Sequence, residues 1–75
     1  MGTLANISGR RAVKAFRKIG YQFVRQEGSH MILYNPKPGY PILSIPNHKE
    51  VAPYLLKRQI KLAHLTVEQF QHLLK

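Results

Sequence analysis

The sequence contains no cysteine, and only three of its 75 residues are acidic. Without cysteine the chain can form no disulfide bond, no cysteine-bound zinc site and no thiol nucleophile. The three carboxylates belong to Glu27, Glu50 and Glu68. They are too few for a two-carboxylate glycosidase or for the carboxylate ligands of a two-metal nuclease. Any catalysis must therefore rely on histidine, tyrosine, serine, lysine or arginine.

Long apolar runs are missing as well. No stretch approaches the roughly 20 apolar residues that span a bilayer, and the N-terminus lacks the apolar core of a signal peptide. We therefore expect no membrane association and a cytoplasmic location, which the lack of cysteine fits. A chain of 75 residues makes one domain, residues 1–75, because it has no room for a second core. Residues 1–7 carry no strong pattern, and we expect them to be flexible.

Positive charge is what the chain has in excess. Lysine and arginine number 12 against 3 acidic residues, for a net charge of +9. This excess favours a polyanionic partner, either nucleic acid or an acidic protein. A membrane surface is the weakest alternative, because so small a domain needs its apolar stripes for the core. The candidate phosphate contacts, some of which are equally well explained as solvated surface charge, are Arg10, Arg11, Lys14, Lys37, Lys49, Lys57, Arg58 and Lys61.

Helical patterns occupy both ends of the chain. In residues 9–19 the apolar side chains recur at three- and four-residue spacing, which predicts an amphipathic helix, and Ser8 is suited to cap its N-terminus. A second helix is expected from near Pro53, a residue tolerated in a first helical turn. Thr66 and Gln69 have the spacing of a capping box and predict a short last helix.

Strand patterns fill the middle of the chain. Runs rich in aromatic and β-branched residues predict three strands, at 21–26, 30–34 and 40–45. Gly28 and Ser29 lie in the tight connection between the first two, which predicts a hairpin. The order α-β-β-β-α with a short extra C-terminal helix indicates an α+β fold, in which helices cover one face of a three-stranded antiparallel sheet. Alternation places His30 on the same face as Tyr34, but the sequence does not show which face the helices cover.

His30 is the candidate for chemistry, because it follows a glycine-containing turn in a strongly basic chain. A histidine at the start of a strand is more often structural or simply solvated, so the local pattern alone leaves both interpretations open. Tyr34 and Tyr40 are suited either to stacking on nucleic-acid bases or to filling the core. The histidines lack close ligand spacing, apart from His64 and His72 across a helix start, so we expect neither a metal nor another cofactor.

Five short stretches follow one another in a characteristic order and spacing: Ser8-Gly9-Arg10, Gly20-Tyr21, Arg25-Gln26-Glu27-Gly28-Ser29-His30, Pro46-Asn47-His48-Lys49-Glu50 and Leu65-Thr66-Val67-Glu68-Gln69-Phe70. Together they resemble the HicA toxins of bacterial and archaeal toxin–antitoxin systems, over roughly residues 8–74. Two positions depart from the pattern. Glu27 stands where many relatives have a basic residue, and Tyr54-Leu55-Leu56 stands where many have Gly-Thr-Leu.

The resemblance implies a fold like that of a double-stranded-RNA-binding domain, cleavage of mRNA without a metal, and a HicB-type antitoxin that covers the active site. The family's catalytic histidine falls on His30, with Gly28 and Ser29 as its turn. A neutral imidazole suits the deprotonation of a ribose 2′-OH, because its pKa lies near the working pH. His48 is the natural candidate for a second imidazole, although the family's one-histidine pattern favours an exposed loop residue.

These interpretations predict a type II toxin that is a metal-independent endoribonuclease, with His30 as general base and with a monomeric state when it is free of its antitoxin. Two rival functions remain. A non-catalytic RNA-binding module of the same fold would use every feature except His30. A protein-interaction domain would use the basic surface to bind an acidic partner.

Overall fold

The computed structural model describes residues 4–75 and contains three helices and three strands in the predicted order. They are α1 (Gly9–Arg17), β1 (Gln22–Glu27), β2 (His30–Tyr34), β3 (Leu43–Pro46), α2 (Pro53–Leu62) and α3 (Val67–Leu73). The predicted α-β-β-β-α layout with an additional C-terminal helix is therefore confirmed. None of the helices within residues 4–75 is long and apolar enough to cross a membrane.

The strands form one antiparallel sheet in the order β1-β2-β3, so β2 is central. His30 begins β2 and lies opposite Glu27 of β1 on one side and Pro46 of β3 on the other. A bulge between Phe23 and Arg25 interrupts the β1–β2 register. The first residue of the central strand is thus fixed from both sides.

One face of the sheet carries the core, which settles the question that the sequence left open. Met31 and Leu33 of β2 belong to the buried cluster beneath the helices, together with Phe16 of α1 and Phe70 of α3. Because side chains alternate along a strand, His30 points to the opposite face, and its side chain is exposed.

The helix termini follow the predicted capping chemistry. The Ser8 hydroxyl accepts the backbone N–H of Arg11 at 3.1 Å at the start of α1. At the start of α3, Thr66 and Gln69 form both bonds of a capping box, at 2.9 and 3.1 Å. These bonds satisfy backbone N–H groups that a helix leaves without intrahelical partners.

Two strands start later than predicted. The Tyr21 backbone N–H donates to the Phe16 carbonyl at 3.3 Å at the end of α1, so it is not available for pairing in the sheet. Tyr21, expected to start β1, is 2% exposed, and its hydroxyl donates to the Pro41 carbonyl at 2.8 Å. Tyr40 and Pro41 precede β3, which starts only at Leu43. The Tyr40 ring stacks edge-on against Tyr21 with 6.0 Å between the ring centroids, which supports core filling rather than base stacking for Tyr40.

The flexibility expected of residues 1–7 stays a prediction, although two residues of this segment are buried. Leu4 and Ile7 are 8% and 3% exposed and belong to the core. The Ile7 carbonyl also accepts the Val51 backbone N–H at 2.8 Å. Apolar burial therefore anchors this part of the segment, which lacked a helix or strand pattern, and residues 1–3 lie outside the described residues.

Candidate active site

A two-residue turn presents His30 at the end of the β1–β2 hairpin. Gly28 has a φ of 59°, whereas the φ of Ser29 is not positive. This combination matches a type II′ turn, which favours glycine at its first central position and suits the twist of two antiparallel strands. Asn47 then attaches the turn to the loop after β3, since its backbone N–H donates to the Ser29 carbonyl at 2.7 Å.

The His30 ring is exposed and is also oriented by a neighbour on β3. Its Nδ1 atom lies 3.2 Å from the Ser44 hydroxyl oxygen. Pro46, directly opposite His30, has no polar side chain. The diagonal neighbour Ser44 lies two residues earlier on the same face and supplies the hydrogen bond. Nε2 is therefore the ring nitrogen left without a hydrogen bond among residues 4–75.

A cleft of about 300 Å³ opens beside His30, between the end of the sheet and α2. Its polar lining comes from His30, Ser44, Arg58 and Gln59, and its apolar lining comes from Ile42, Pro46, Leu55 and Leu62. The Gln59 side chain connects its two walls, because Oε1 accepts the Ser44 backbone N–H at 3.2 Å. Leu55 is one of the positions that depart from the Gly-Thr-Leu pattern, so that departure lies in the cleft wall.

Glu27, the unexpected acid before the turn, does not stand alone beside His30. Its carboxylate forms an ion pair with the guanidinium of Arg25, and both side chains are more than half exposed. Arg25 lies opposite Ile32 and Glu27 lies opposite His30, which places the pair on the face that carries His30. The positive partner offsets the charge of Glu27 beside His30.

The eight predicted phosphate contacts are all exposed, and they do not all line the same cleft. Only Arg58 lines the cleft of His30. Arg11 and Lys14 line a different groove, of about 190 Å³, between α1 and the C-terminal residues. Lys18 joins them there, and its ammonium group donates to the Lys75 carbonyl at 2.8 Å. The remaining five, Arg10, Lys37, Lys49, Lys57 and Lys61, line neither of these two clefts.

His48 is exposed and does not line the cleft of His30. Its carbonyl accepts the Gly9 backbone N–H at 2.9 Å, so its backbone helps to hold the start of α1. His64 Nε2 lies 2.6 Å from the Gly39 carbonyl. Within residues 4–75, no three histidine, aspartate or glutamate side chains come together as a possible metal-binding group.

Sequence reasoning missed Ser44, Gln59 and Arg25 as parts of the site. The one signal for Ser44 was that it is a polar residue between two apolar strand residues, Leu43 and Ile45. Because side chains alternate along a strand, Ser44 lies on the face opposite the core. Gln59 had no comparable signal, because its contact with β3 depends on where α2 packs.

The fold and the site together define a class: a small cationic α+β domain that holds one exposed imidazole in a cleft with an arginine. The family description of HicA toxins of bacterial toxin–antitoxin systems matches residues 9–65. This match covers most of the chain, including every element except α3. The protein therefore belongs to the HicA toxin family, and it is the toxin partner of a cognate antitoxin. A search of curated proteins gives no match.

Proposed function

We propose that this toxin is a metal-independent endoribonuclease that cleaves mRNA, with His30 as its general base. The observation that supports this most directly is the exposed His30 ring, oriented by Ser44 and located in the same cleft as Arg58. RNA carries its own nucleophile, so the protein has to remove a proton and stabilise developing charge. Both groups for these tasks are present in the cleft.

In the proposed reaction, the neutral His30 ring carries its proton on Nδ1, and this N–H donates a hydrogen bond to the Ser44 hydroxyl oxygen. Nε2 then has the lone pair that accepts the proton of a ribose 2′-OH. The 2′ oxygen bonds to the adjacent phosphorus, the bond from phosphorus to the 5′ oxygen breaks, and the leaving oxygen takes a proton from solvent. The products are a 2′,3′-cyclic phosphate and a 5′-OH. General-base assistance of this kind contributes about 10²–10⁴ in rate.

Arg58 is suited to stabilise the phosphorane, because a cation beside the reacting phosphate interacts more strongly as negative charge develops there. We expect Arg58→Gln to lower kcat by at least about tenfold, less than the roughly 10²–10³ of a preorganised donor because Arg58 is exposed. Lys61→Gln removes an exposed cation from the same helix but outside the cleft. It should leave kcat unchanged within about twofold, and equal losses in the two variants would contradict the role of Arg58.

The central test compares RNA cleavage by the wild type and by His30→Ala in the presence of EDTA. We expect His30→Ala to lose at least about 100-fold in rate, while His48→Ala and His72→Ala, which change exposed histidines outside the cleft, keep wild-type rates. Circular dichroism checks that all variants fold. Undiminished cleavage by His30→Ala would remove the general-base assignment, and loss of wild-type cleavage in EDTA would indicate a metal enzyme.

The same experiment separates the nuclease from a non-catalytic RNA-binding module. Binding of RNA without any cleavage by the wild type would favour the module. We further propose that the cognate antitoxin is of the HicB type, that it covers the His30 cleft, and that both proteins are cytoplasmic. The free toxin should then elute as a monomer in size-exclusion chromatography. Addition of a HicB-type partner should form a complex and stop cleavage, whereas continued cleavage by the complex would contradict a covered site.

A further inference from the structure

The hydrogen bond between β3 and α2 determines which way the amide of Gln59 faces. The Ser44 backbone N–H is a donor, so the side-chain atom that meets it at 3.2 Å must be the oxygen of Gln59. The Gln59 NH₂ group then points away from this bond and makes no hydrogen bond to another of residues 4–75. It offers two N–H donors from the wall of the His30 cleft.

Half of the residues that line the cleft are apolar, although this apolar part is open to solvent. Ile42 is 61% exposed and Leu62 is 39% exposed, and both line the cleft together with Leu55. The volume of about 300 Å³ lies at the lower end of the roughly 300–1,000 Å³ typical of small-molecule sites. The apolar part of the cleft suits a small flat group that has apolar faces and a polar edge.

A nucleobase has this chemistry. Bases of single-stranded RNA are recognised by contact of their flat faces with aromatic, apolar or guanidinium groups, and by hydrogen bonds to their edges. Arg58 lines the same cleft as the apolar walls. The cleft also contains His30, so a base that enters it belongs to a nucleotide at or next to the ribose whose 2′-OH reacts.

We propose that the cleft binds one nucleobase beside the scissile bond, and that Gln59 selects a base that presents a hydrogen-bond acceptor to its NH₂ group. This inference rests on the proposed endoribonuclease function and adds the origin of its base preference. Gln59→Glu keeps an oxygen for the Ser44 N–H but replaces the two donors with an acceptor. The preferred base at that position should therefore change.

The first arm of the test is cleavage of an RNA pool in which the nucleotides on either side of the cut vary. We expect the wild type to prefer one or two bases at one position, and Gln59→Glu to change the ratio of rates by about two- to tenfold, the value of one hydrogen bond. Gln22→Glu is the charge-matched control, because it adds the same negative charge on β1 outside the cleft. An unchanged preference in Gln59→Glu, or the same change in Gln22→Glu, would overturn the inference.

The second arm does not depend on cleavage. Uncleavable 2′-O-methyl dinucleotides are titrated into the protein, and methyl NMR shifts are followed at Ile42, Leu55 and Leu62. Shifts at these methyls, with an order of base affinities that Gln59→Glu alters, support the base site even if no cleavage is found. Shifts confined to the groove of Arg11 and Lys14 would overturn it. Normal cleavage with neither a shift nor a changed preference would leave the proposed function standing and the base site refuted.

Discussion

Replacement of Gly9 by alanine should destabilise the protein, although alanine is the better helix former. Gly9 is the first residue of α1, and a Cβ atom built there would lie 2.0 Å from the carbonyl oxygen of Pro46. The same atom would lie 3.0 Å from the end of the Met31 side chain, which can move at low cost. The backbone of Pro46 cannot move at low cost, because Pro46 pairs with His30 at the end of the sheet.

The expected loss of stability follows from the distance by which α1 and the end of β3 must separate. Contacts of Cβ atoms below 3.0 Å essentially never occur, so α1 and the end of β3 must separate by about 1 Å, and forced backbone shifts of this kind cost about 1–3 kcal/mol. The gain in helix propensity from glycine to alanine is at most about 1 kcal/mol. The separation would also stretch the hydrogen bond from the Gly9 N–H to the His48 carbonyl, now 2.9 Å long. We expect a net loss of about 1–2 kcal/mol.

Urea denaturation followed by circular dichroism measures this loss as a lower midpoint with an unchanged m-value. Arg10→Ala is the control, because it changes the next residue of the same helix, which is exposed, and should stay within about 0.5 kcal/mol of the wild type. The amide NMR signal of Asn47, which donates to Ser29, should also shift in Gly9→Ala. A Gly9→Ala protein as stable as Arg10→Ala would refute the close packing of α1 against β3.

Two further predictions concern stability. Burial raises the pKa of the Tyr21 hydroxyl above its ordinary value of 10.0. The contribution of the neutral hydroxyl to the stability of the protein is therefore complete below about pH 10 and is lost as the pH rises through the raised pKa. Tyr21→Phe should cost about 1 kcal/mol at neutral pH through the lost bond to Pro41, and urea midpoints should fall less steeply above pH 10 than in the wild type. Thr66→Ala should cost about 1 kcal/mol through the lost capping bond to Gln69. Thr66→Ser keeps the hydroxyl, so its melting temperature should stay close to that of the wild type.

The parts of the fold that the sequence predicted correctly are those decided by residues close together in the chain. Ser8 and the pair of Thr66 and Gln69 cap helices through bonds that span only three residues. Gly28 supplies a positive φ within a two-residue turn. Each of these signals is complete within a few residues, so no knowledge of tertiary packing was needed.

The strand limits required information from distant residues. Tyr21 was predicted to begin a strand because aromatic residues favour strands, but its side chain is used in the core and its hydroxyl binds the carbonyl of Pro41. The bulge between Phe23 and Arg25 likewise depends on how two strands fit together. A local pattern contains neither the partner nor the register.

In the candidate site, too, some features depend on residues close together in the chain and others on distant residues. His30 was a candidate because it follows a turn at a strand start and because the family's catalytic histidine falls on it, but its orientation depends on Ser44, which is 14 residues away in the sequence. The cleft depends further on α2, since Gln59 binds Ser44 from 15 residues away. The pairing of β2 with β3 and the packing of α2 had to be known before these side chains could be assigned to one site.

The distribution of positive charge also explains why basic composition alone did not locate the site. Exposed charges are screened within about 8 Å at physiological salt, so in the proposed nuclease the cations outside the cleft would attract an RNA chain without selecting one of its phosphates. Arg58 differs because it shares a cleft with His30, where the proposed reaction would develop negative charge. Salt should therefore weaken mainly the binding of RNA, whereas loss of Arg58 should slow mainly the chemical step. The excess of lysine and arginine favours a polyanionic partner, and the turn at Gly28 and the strand register determine where the candidate imidazole of His30 lies.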